Sequence, residues 1–255
     1  MFGTDIEAVS NTAKAKANLL KNDPLAYVIA SVMAGLYIGF GCMIMGFEGG
    51  CLLGLPAQKL VSGIVFSVGL CFVTMGGAEL FTGNNFVMSV GSMTKAVSWG
   101  RTCGLWAVCY LGNLAGSILA AWIFTLTGIP GSGDVGTFFA NAAVAKATGA
   151  PMALFAKGIL CNILVCIAIW CGARLKSEGA KIAINFCCVG TFVTLGFEHS
   201  VANMTFLSIG LMNHADLTIG GAVYNLAVVT LGNMVGGILL MAVPYILISR
   251  TNRNR

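Results

Sequence analysis

Two short polar stretches interrupt apolar segments of this chain, and both carry side chains that can do chemistry. The stretch GFEHSVANM, residues 196–204, places a glutamate, a histidine, a serine and an asparagine in a hydrophobic run that begins near Ile182. The stretch GGAELFTGNNFVMSVG, residues 76–91, holds a glutamate and two asparagines. A charged side chain at the centre of a bilayer costs roughly 2.5–3.5 kcal/mol on insertion scales, so such residues are usually functional.

The two stretches are copies of one pattern: Gly-x-Glu, four residues, Asn, four residues, Ser-x-Gly. When Glu79 is aligned on Glu198, an offset of 119 residues (198 − 79), Asn84 falls on Asn203. A second motif repeats at an offset of 120 residues (231 − 111), as LGNLAGSIL from residue 111 and LGNMVGGIL from residue 231. The chain therefore contains two copies of one unit.

The composition requires a lipid environment. Of the 255 residues, 57% are hydrophobic and 9% are charged, whereas soluble domains carry about 25% charged residues. The net charge of +5 comes from basic residues scattered over the ends of apolar runs, which argues against a nucleic-acid partner. The first two dozen residues are polar and lack the apolar core of a signal peptide, so we expect no cleavage.

The apolar runs predict an all-α integral membrane protein with six transmembrane helices, since each run approaches or exceeds the roughly 20 residues that cross a bilayer. The predicted spans are about 26–47, 59–75 with a tail over 86–97, 102–127, 150–173, 181–197 with a tail to 212, and 219–249. Residues 4–22 predict a polar helix, which Asp23-Pro24 ends. Residues 128–147 are predicted to be a loop that contains glycine and proline.

The repeat predicts a single channel domain with inverted topology. We expect a cytoplasmic N-terminal helix in 1–23, a first repeat in 24–127, a second in 128–249 and a cytoplasmic tail in 250–255. Each repeat has three crossings, an odd number, so the second copy enters the membrane from the opposite face. The polar stretches interrupt helix 2 of each copy, and paired interruptions of this kind indicate a transport site near the midplane.

The distribution of basic residues predicts the orientation. With the N-terminus inside, all of the 14 lysines and arginines except Lys59, Lys146 and Lys157 fall on the cytoplasmic side. This excess follows the positive-inside rule. We therefore expect both termini to be cytoplasmic.

The paired glutamates and asparagines have a functional and a structural interpretation. Glu79 and Glu198 either carry protons or accept hydrogen bonds that lock the two breaks, and their matched positions favour the lock. Asn84 and Asn203 either line the pathway or satisfy backbone groups that the breaks set free. Half-helix N-termini also carry partial positive charge, which can hold an anion.

His199 breaks the symmetry of the repeat, because Leu80 stands at the matching position. This asymmetry favours a function, although a lone membrane histidine also serves as an interhelical hydrogen bond. Imidazole changes charge near neutral pH, so it can exchange a proton with a weak acid. Lys146 and Lys16 precede spans 4 and 1, where they either draw anions to the two mouths or anchor the span ends.

No motif in the chain predicts a metal, a cofactor or an enzyme. The ten cysteines include no CxxC pair, and most lie inside apolar runs, so we interpret them as small buried hydrophobic residues. No nucleophile is paired with a base. The glycine pairs Gly112/Gly116 and Gly232/Gly236 predict close helix contacts, either within a subunit or between subunits.

The motifs AELFTG (78–83), GILCN (158–162) and GFEHSVANM resemble the formate/nitrite transporter family, whose channels pass formate, nitrite, hydrosulfide and lactate. The likeness covers nearly the whole chain. It implies an aquaporin-like subunit with its own pore, assembled as a homopentamer in the inner membrane of a prokaryote. By the same resemblance, the N-terminal helix corresponds to the family segment that shifts at the cytoplasmic mouth during pH gating.

The resemblance also implies roles for individual residues. His199 corresponds to the central pore histidine, with Thr82 beside it and Asn162 as its hydrogen-bond partner. Lys146 resembles the vestibule lysine and Lys16 the cytoplasmic one. The family has two apolar slits, which by spacing are Leu70 and Phe81 on the cytoplasmic side, and Phe66, Leu80 and Phe192 on the periplasmic side.

The function predicted from these residues is a pentameric channel for small monovalent anions or their conjugate acids. The cysteine content favours hydrosulfide or formate over nitrite as the substrate. A bare anion meets a large desolvation cost in an apolar slit. Either the central site protonates the anion, or Thr82, His199 and Asn162 solvate it.

Two other transport functions fit the same chain. One is a proton-coupled anion symporter on the same fold. The other is a neutral-solute pore of the aquaporin kind, which is weakened because neither break contains Asn-Pro-Ala.

Overall fold

The computed structural model describes residues 2–213 and 216–250, so the predicted tail beyond residue 250 lies outside the described residues. Every regular element in the described part is helical. The α-helices are α1 (Gly3–Asn22), α2 (Pro24–Cys51), α3 (Gln58–Gly76), α4 (Phe81–Met93), α5 (Trp99–Leu126), α6 (Gly133–Thr148), α7 (Pro151–Arg174), α8 (Glu178–Thr194), α9 (Ser200–Asn213), α10 (Ile219–Gly237) and α11 (Val243–Arg250). A 3₁₀ turn covers Ile129–Gly131, and a π-helical segment, Ile238–Ala242, joins α10 to α11.

Five helices in the described part are long and apolar enough to cross a membrane. They are α2, α3, α5, α7 and the continuous segment Ile219–Ser249 that contains α10 and most of α11. The helix α8 has only 17 residues, fewer than the roughly 20 that span a bilayer. The prediction of an all-helical chain with several membrane-spanning helices is confirmed in this form.

Both predicted interruptions are present as short non-helical breaks. After α3 ends at Gly76, Gly77 takes a left-handed conformation with φ of 76°, and α4 begins at Phe81. After α8 ends at Thr194, Gly196 takes φ of 69°, and α9 begins at Ser200. Glycine is the residue that adopts this conformation without strain, which explains why the two breaks share a glycine at the same place.

The predicted loop over 128–147 is wrong for most of its length. Only its first residues are irregular, and α6 occupies Gly133–Thr148. The glycines and the proline that suggested a loop lie within 128–136, whereas the rest is rich in alanine, the strongest helix former. Phe139 and Ala143 of α6 are fully buried, and Lys146 lies in its last turn.

The glycine pairs on α5 and α10 pack against helices of the same subunit. A Cβ atom on Gly116 would lie 2.0 Å from the carbonyl oxygen of Val32 on α2. In the second copy, a Cβ atom on Gly236 would lie 2.4 Å from the carbonyl oxygen of Ile159 on α7. The close contacts predicted from the sequence therefore lie within the subunit.

The N-terminal helix α1 is fastened to the ends of three other helices. Ser10 shares a 2.7 Å hydrogen bond with Thr94 at the end of α4. The guanidinium of Arg174, at the end of α7, bonds to Asp5 at 3.2 Å and lies 4.9 Å from the Phe2 ring centroid. Phe2 also packs edge-to-face on Tyr245 of α11. These contacts fix α1 against the ends of α4, α7 and α11.

Gly116→Ala should destabilise the protein by about 1–3 kcal/mol, as overpacking typically does, because the added methyl group would overlap the α2 backbone. Thermal unfolding of the detergent-solubilised protein measures the effect. Gly104→Ala on the same helix is the control, since a Cβ atom there has nothing within 4 Å. Equal melting midpoints for the two variants would contradict the close-packing assignment.

Candidate functional site

The two breaks meet at one hydrogen bond. Thr82, in the first turn of α4, and His199, immediately before α9, lie 2.9 Å apart between Oγ1 and Nε2. Thr82 is fully buried and the exposed fraction of His199 is 3%. Residues that are 117 positions apart in the chain are thus joined at the centre of the protein.

The second nitrogen of His199 caps the helix that follows. Its Nδ1 accepts a hydrogen bond from the backbone N–H of Ala202 at 3.1 Å, as an N-cap side chain does for the third residue of a helix. A nitrogen that accepts this bond carries no proton, so the neutral ring holds its proton on Nε2 and donates it to Thr82. The Thr82 hydroxyl hydrogen is then left for another acceptor. Leu80 provides no such cap for α4.

Aromatic rings lie beside His199 on one side. The Phe192 ring stacks on the imidazole with centroids 6.0 Å apart, and Phe66 meets Phe192 edge-to-face at 6.1 Å. A cavity of about 100 Å³ is bounded by these three rings and by Lys146. The structure therefore brings together Phe66 and Phe192, two of the three residues predicted for the periplasmic slit.

The other predicted slit residues do not line this cavity. Leu70, Leu80 and Phe81 are buried with at most 4% of their surface exposed. Phe81 packs edge-to-face on Tyr110 of α5, with centroids 5.0 Å apart. The slits assigned by spacing to these residues stay a prediction.

Each of the two lysines predicted to attract anions is paired with the glutamate of a break. Lys146 Nζ lies 2.9 Å from Glu198, and Lys16 Nζ lies 2.6 Å from Glu79. Lys14, the close neighbour of Lys16, is exposed and forms none of the ion pairs in the described part. Each pair carries no net charge, so the pull of either lysine on an anion is weaker than that of a free lysine.

The asparagine of each break joins the same pair. Asn203 Nδ2 donates to Glu198 at 2.6 Å, and Asn84 Nδ2 donates to Glu79 at 2.9 Å. Tyr27 adds a further donor to Glu79 at 3.2 Å. The predicted glutamate and asparagine of each break are therefore bonded to each other. The glutamate is also bonded to a lysine, instead of to loop amides.

Two further asparagines hold the breaks, and the sequence reasoning did not assign them this role. Asn113 Oδ1 accepts from the N–H of Phe81 at 2.9 Å, while its Nδ2 donates to the carbonyls of Ser31 and Glu79, both at 2.8 Å. Asn233 repeats the arrangement in the second copy. The signal was present, because each is the asparagine of a repeated Leu-Gly-Asn motif.

The bonds of Asn233 match those of Asn113 one for one. Its Oδ1 accepts from the N–H of Ser200 at 2.9 Å. Its Nδ2 donates to the carbonyls of Gly158 at 2.7 Å and Glu198 at 3.0 Å. Each break is thus closed by one buried asparagine side chain, from α5 for the first break and from α10 for the second.

Asn162 contacts Thr82 and not His199. Its Nδ2 lies 3.3 Å from the carbonyl oxygen of Thr82, 2.7 Å from that of Asn233 and 3.1 Å from Oδ1 of Asn85. The predicted bond between Asn162 and His199 is absent, because the amide nitrogen of Asn162 donates to these three acceptors instead. In the described part, no group of three or more His, Cys, Asp or Glu residues is placed to hold a metal ion.

Comparison with known proteins assigns the chain to a family. The family model described as formate/nitrite transporter matches residues 4–247. The chain belongs to the formate/nitrite transporter family. This confirms the resemblance based on the three motifs.

Individual members of the family are similar over most of their length. The nitrite transporter NirC of Escherichia coli (strain K12) is 36% identical over 250 residues, which are 96% of this chain and 91% of NirC. A solved structure of an "FNT family ion channel" has a TM-score of 0.91 at 34% identity, covering 96% of this chain and 98% of the other. A "pentameric formate channel with formate bound" has a TM-score of 0.79 at 30% identity, covering 89% and 98%.

Proposed function

We propose that this protein is a pentameric membrane channel that passes small monovalent anions, or their conjugate acids, through one pore in each subunit. The observation that carries the proposal is the Thr82–His199 hydrogen bond. It lies where two half-helix N-termini converge, next to the aromatic cavity that Lys146 borders. The similarity to a pentameric formate channel supports the oligomer.

The proposed architecture is a single domain of six spans in two inverted repeats. α3 with α4 forms the second span and α8 with α9 the fifth, so the short α8 crosses only together with its partner across the break. The matched bonds of Asn113 and Asn233 support the repeat. Both termini are cytoplasmic in this proposal, and the membrane is the inner membrane of a prokaryote.

The anion is stabilised by hydrogen bonds in the narrow part of the pore. The ends of α4 and α9 that face Thr82 and His199 are N-termini, whose first backbone amides have no partner within the helix and carry partial positive charge. The Thr82 hydroxyl, which accepts from His199, donates its own hydrogen to the passing anion. This donor and the two helix ends replace part of the water that the anion loses.

The capping role of His199 favours passage by hydrogen bonding over donation of a proton from the ring. To give up a proton at neutral pH, the imidazole must first become imidazolium, which needs a second proton on Nδ1. That proton would break the bond to Ala202 and leave the first turn of α9 uncapped. We therefore propose that His199 remains neutral and orients Thr82 while the anion passes.

Nitrite and formate are the proposed substrates, on the named activities of the similar proteins. Hydrosulfide remains a further candidate, which the cysteine content alone suggests. The proposal is tested by reconstituting the purified protein in liposomes and measuring the flux of all three anions, with native mass spectrometry on the same sample. Nitrite or formate flux from a pentamer is expected, and flux that a proton gradient drives uphill would favour the symporter instead.

Thr82→Val should lower anion flux at least about tenfold, the effect of losing one hydrogen bond to a charged group. His199→Asn should also lower the flux, because it removes the contact that orients this hydroxyl. Asparagine is a good N-cap, so His199→Asn preserves the cap of α9 while removing the contact to Thr82. Thr82→Val removes the hydroxyl at nearly constant volume. Flux into liposomes at several pH values gives the readout.

Thr137→Val, on α6 away from Thr82, serves as the control because that hydroxyl bonds only to the carbonyl of Gly133. A pentameric His199→Asn protein with the flux and pH profile of the wild type would contradict a role for the histidine. A Thr82→Val protein with wild-type flux would contradict the role of the hydroxyl.

Lys146 is proposed to concentrate anions in the cavity, although it also neutralises Glu198. Lys146→Ala alone should destabilise the protein by about 3 kcal/mol, because removing one partner of a buried pair leaves the other charge uncompensated. The double variant Lys146→Ala/Glu198→Gln should regain most of this stability. Its flux should stay below that of the wild type at low salt and approach it as salt screens the charge. Full flux of the double variant at low salt would contradict attraction by the lysine.

A further inference from the structure

A second cavity lies where α3 and α7 end and α8 begins. Its volume is about 290 Å³, and its lining includes Thr74, Ile169, Glu178, Lys181 and Asn185. None of these residues belongs to the site around His199. Unlike the aromatic cavity there, this one has polar and charged side chains in its wall.

The two cavities lie at opposite ends of the wall that α3 and α8 form. The helices run antiparallel, because Phe66 meets Phe192 while Thr74, further along α3, meets Asn185, earlier along α8. Leu70, one turn before Thr74 on α3, separates the two ends.

Ile169, in the wall of the second cavity, lies beside the first turn of α4. A Cβ atom on Gly83 would lie 3.4 Å from Ile169, which lines the cavity. Gly83 directly follows Thr82, the donor in the narrow part of the pore. The cavity is therefore placed at the other mouth of the pathway that passes Thr82.

The repeat makes the two mouths chemically different. At the offset of 119 residues, Asn185 occupies the position of Phe66 (185 − 119). The first mouth has the edge-to-face pair Phe66–Phe192, whereas the second has a 2.8 Å hydrogen bond from Asn185 Nδ2 to Thr74 Oγ1. Asn185 is buried, with 2% of its surface exposed. A polar side chain, Asn185, thus stands where the symmetry of the repeat would place the aromatic ring of Phe66.

Two donors in this cavity are available to an anion. Asn185 uses one N–H on Thr74, and the other has only Cys71 Sγ within reach, at 3.9 Å, which is a weak acceptor. Lys181 lies one helical turn before Asn185, so the two side chains share a face of α8. Lys181 is half-buried and forms none of the ion pairs in the described part of the chain.

We propose that Lys181 and Asn185 form a second anion-binding site, which takes a small monovalent carboxylate or oxyanion at the mouth opposite Lys146. The site rests on the proposed channel function. The anion binds between the Lys181 ammonium and the Asn185 amide, and then passes Leu70 to reach Thr82. Glu178 also lines the cavity, is exposed, and lowers the affinity by repulsion.

The charge variants on α8 give predictions of opposite sign. Lys181→Gln should raise the half-saturating concentration of nitrite or formate about two- to fivefold, the range for one partly exposed charge, and Glu178→Gln should lower it. Asn185→Leu should raise it without changing the charge. Lys176→Gln is the matched control, since it removes the same charge just before α8 from a residue outside the cavity.

The measurement is anion flux in membrane vesicles of both orientations at low salt. The changes are expected in the orientation that presents Lys181 to the added anion, and not in the other. Unchanged half-saturation in Lys181→Gln, or a change equal to that of Lys176→Gln, would overturn the site even if Asn185→Leu fails to fold. Absence of anion flux in the wild-type protein would instead refute the proposed function, so the two failures are distinct.

Discussion

The structure depends on satisfying the backbone groups that two helix breaks expose inside an apolar protein. Lipid offers no hydrogen bonds, so an interrupted helix is stable there only if the protein supplies the partners. Asn113 and Asn233 supply them, each accepting from the first amide of the new half-helix and donating to two carbonyls. Asn162 adds donors to the carbonyls of Thr82 and Asn233. The three asparagines are completely buried.

This constraint also explains the glycine-rich packing of α5 on α2 and of α10 on α7. Asn113 reaches the carbonyl of Ser31 only because α5 lies directly on α2, and a Cβ atom on Gly112 would lie 2.4 Å from that of Ser31. In the second copy, Asn233 reaches the carbonyl of Gly158, where Gly232 and Gly158 bring α10 against α7. The glycines and the asparagines therefore act together. The glycines bring two helix backbones close enough for a short amide side chain to bond across them and close a break.

The sequence was sufficient to predict elements whose cause is local or repeated. The breaks and the apolar spans follow from residue patterns, and His199 stands out because Leu80 is its counterpart. The sequence was insufficient where a side chain chooses between distant partners. Lys146 meets Glu198 only because the unexpected helix α6 places it there, and Asn162 donates to the carbonyls of Thr82 and Asn233 instead of to His199. Asn113 and Asn233 were detectable in principle, as matching residues of one motif.

Comparison of the two copies separates scaffold from transport chemistry. Most positions that brace the breaks are the same in both copies: glutamate with a lysine partner, the break asparagine, and the Leu-Gly-Asn asparagine. Asn162 is the exception, because α2 contains no asparagine. Positions that meet a passing solute need not match, since the solute meets them in sequence and the two sides of the membrane differ. In the proposed channel, His199 against Leu80, and Phe66 against Asn185, are mismatches of this kind beside the central contact. We propose that the desolvation cost of burying His199 and Asn185 is offset by what each side chain does for the solute.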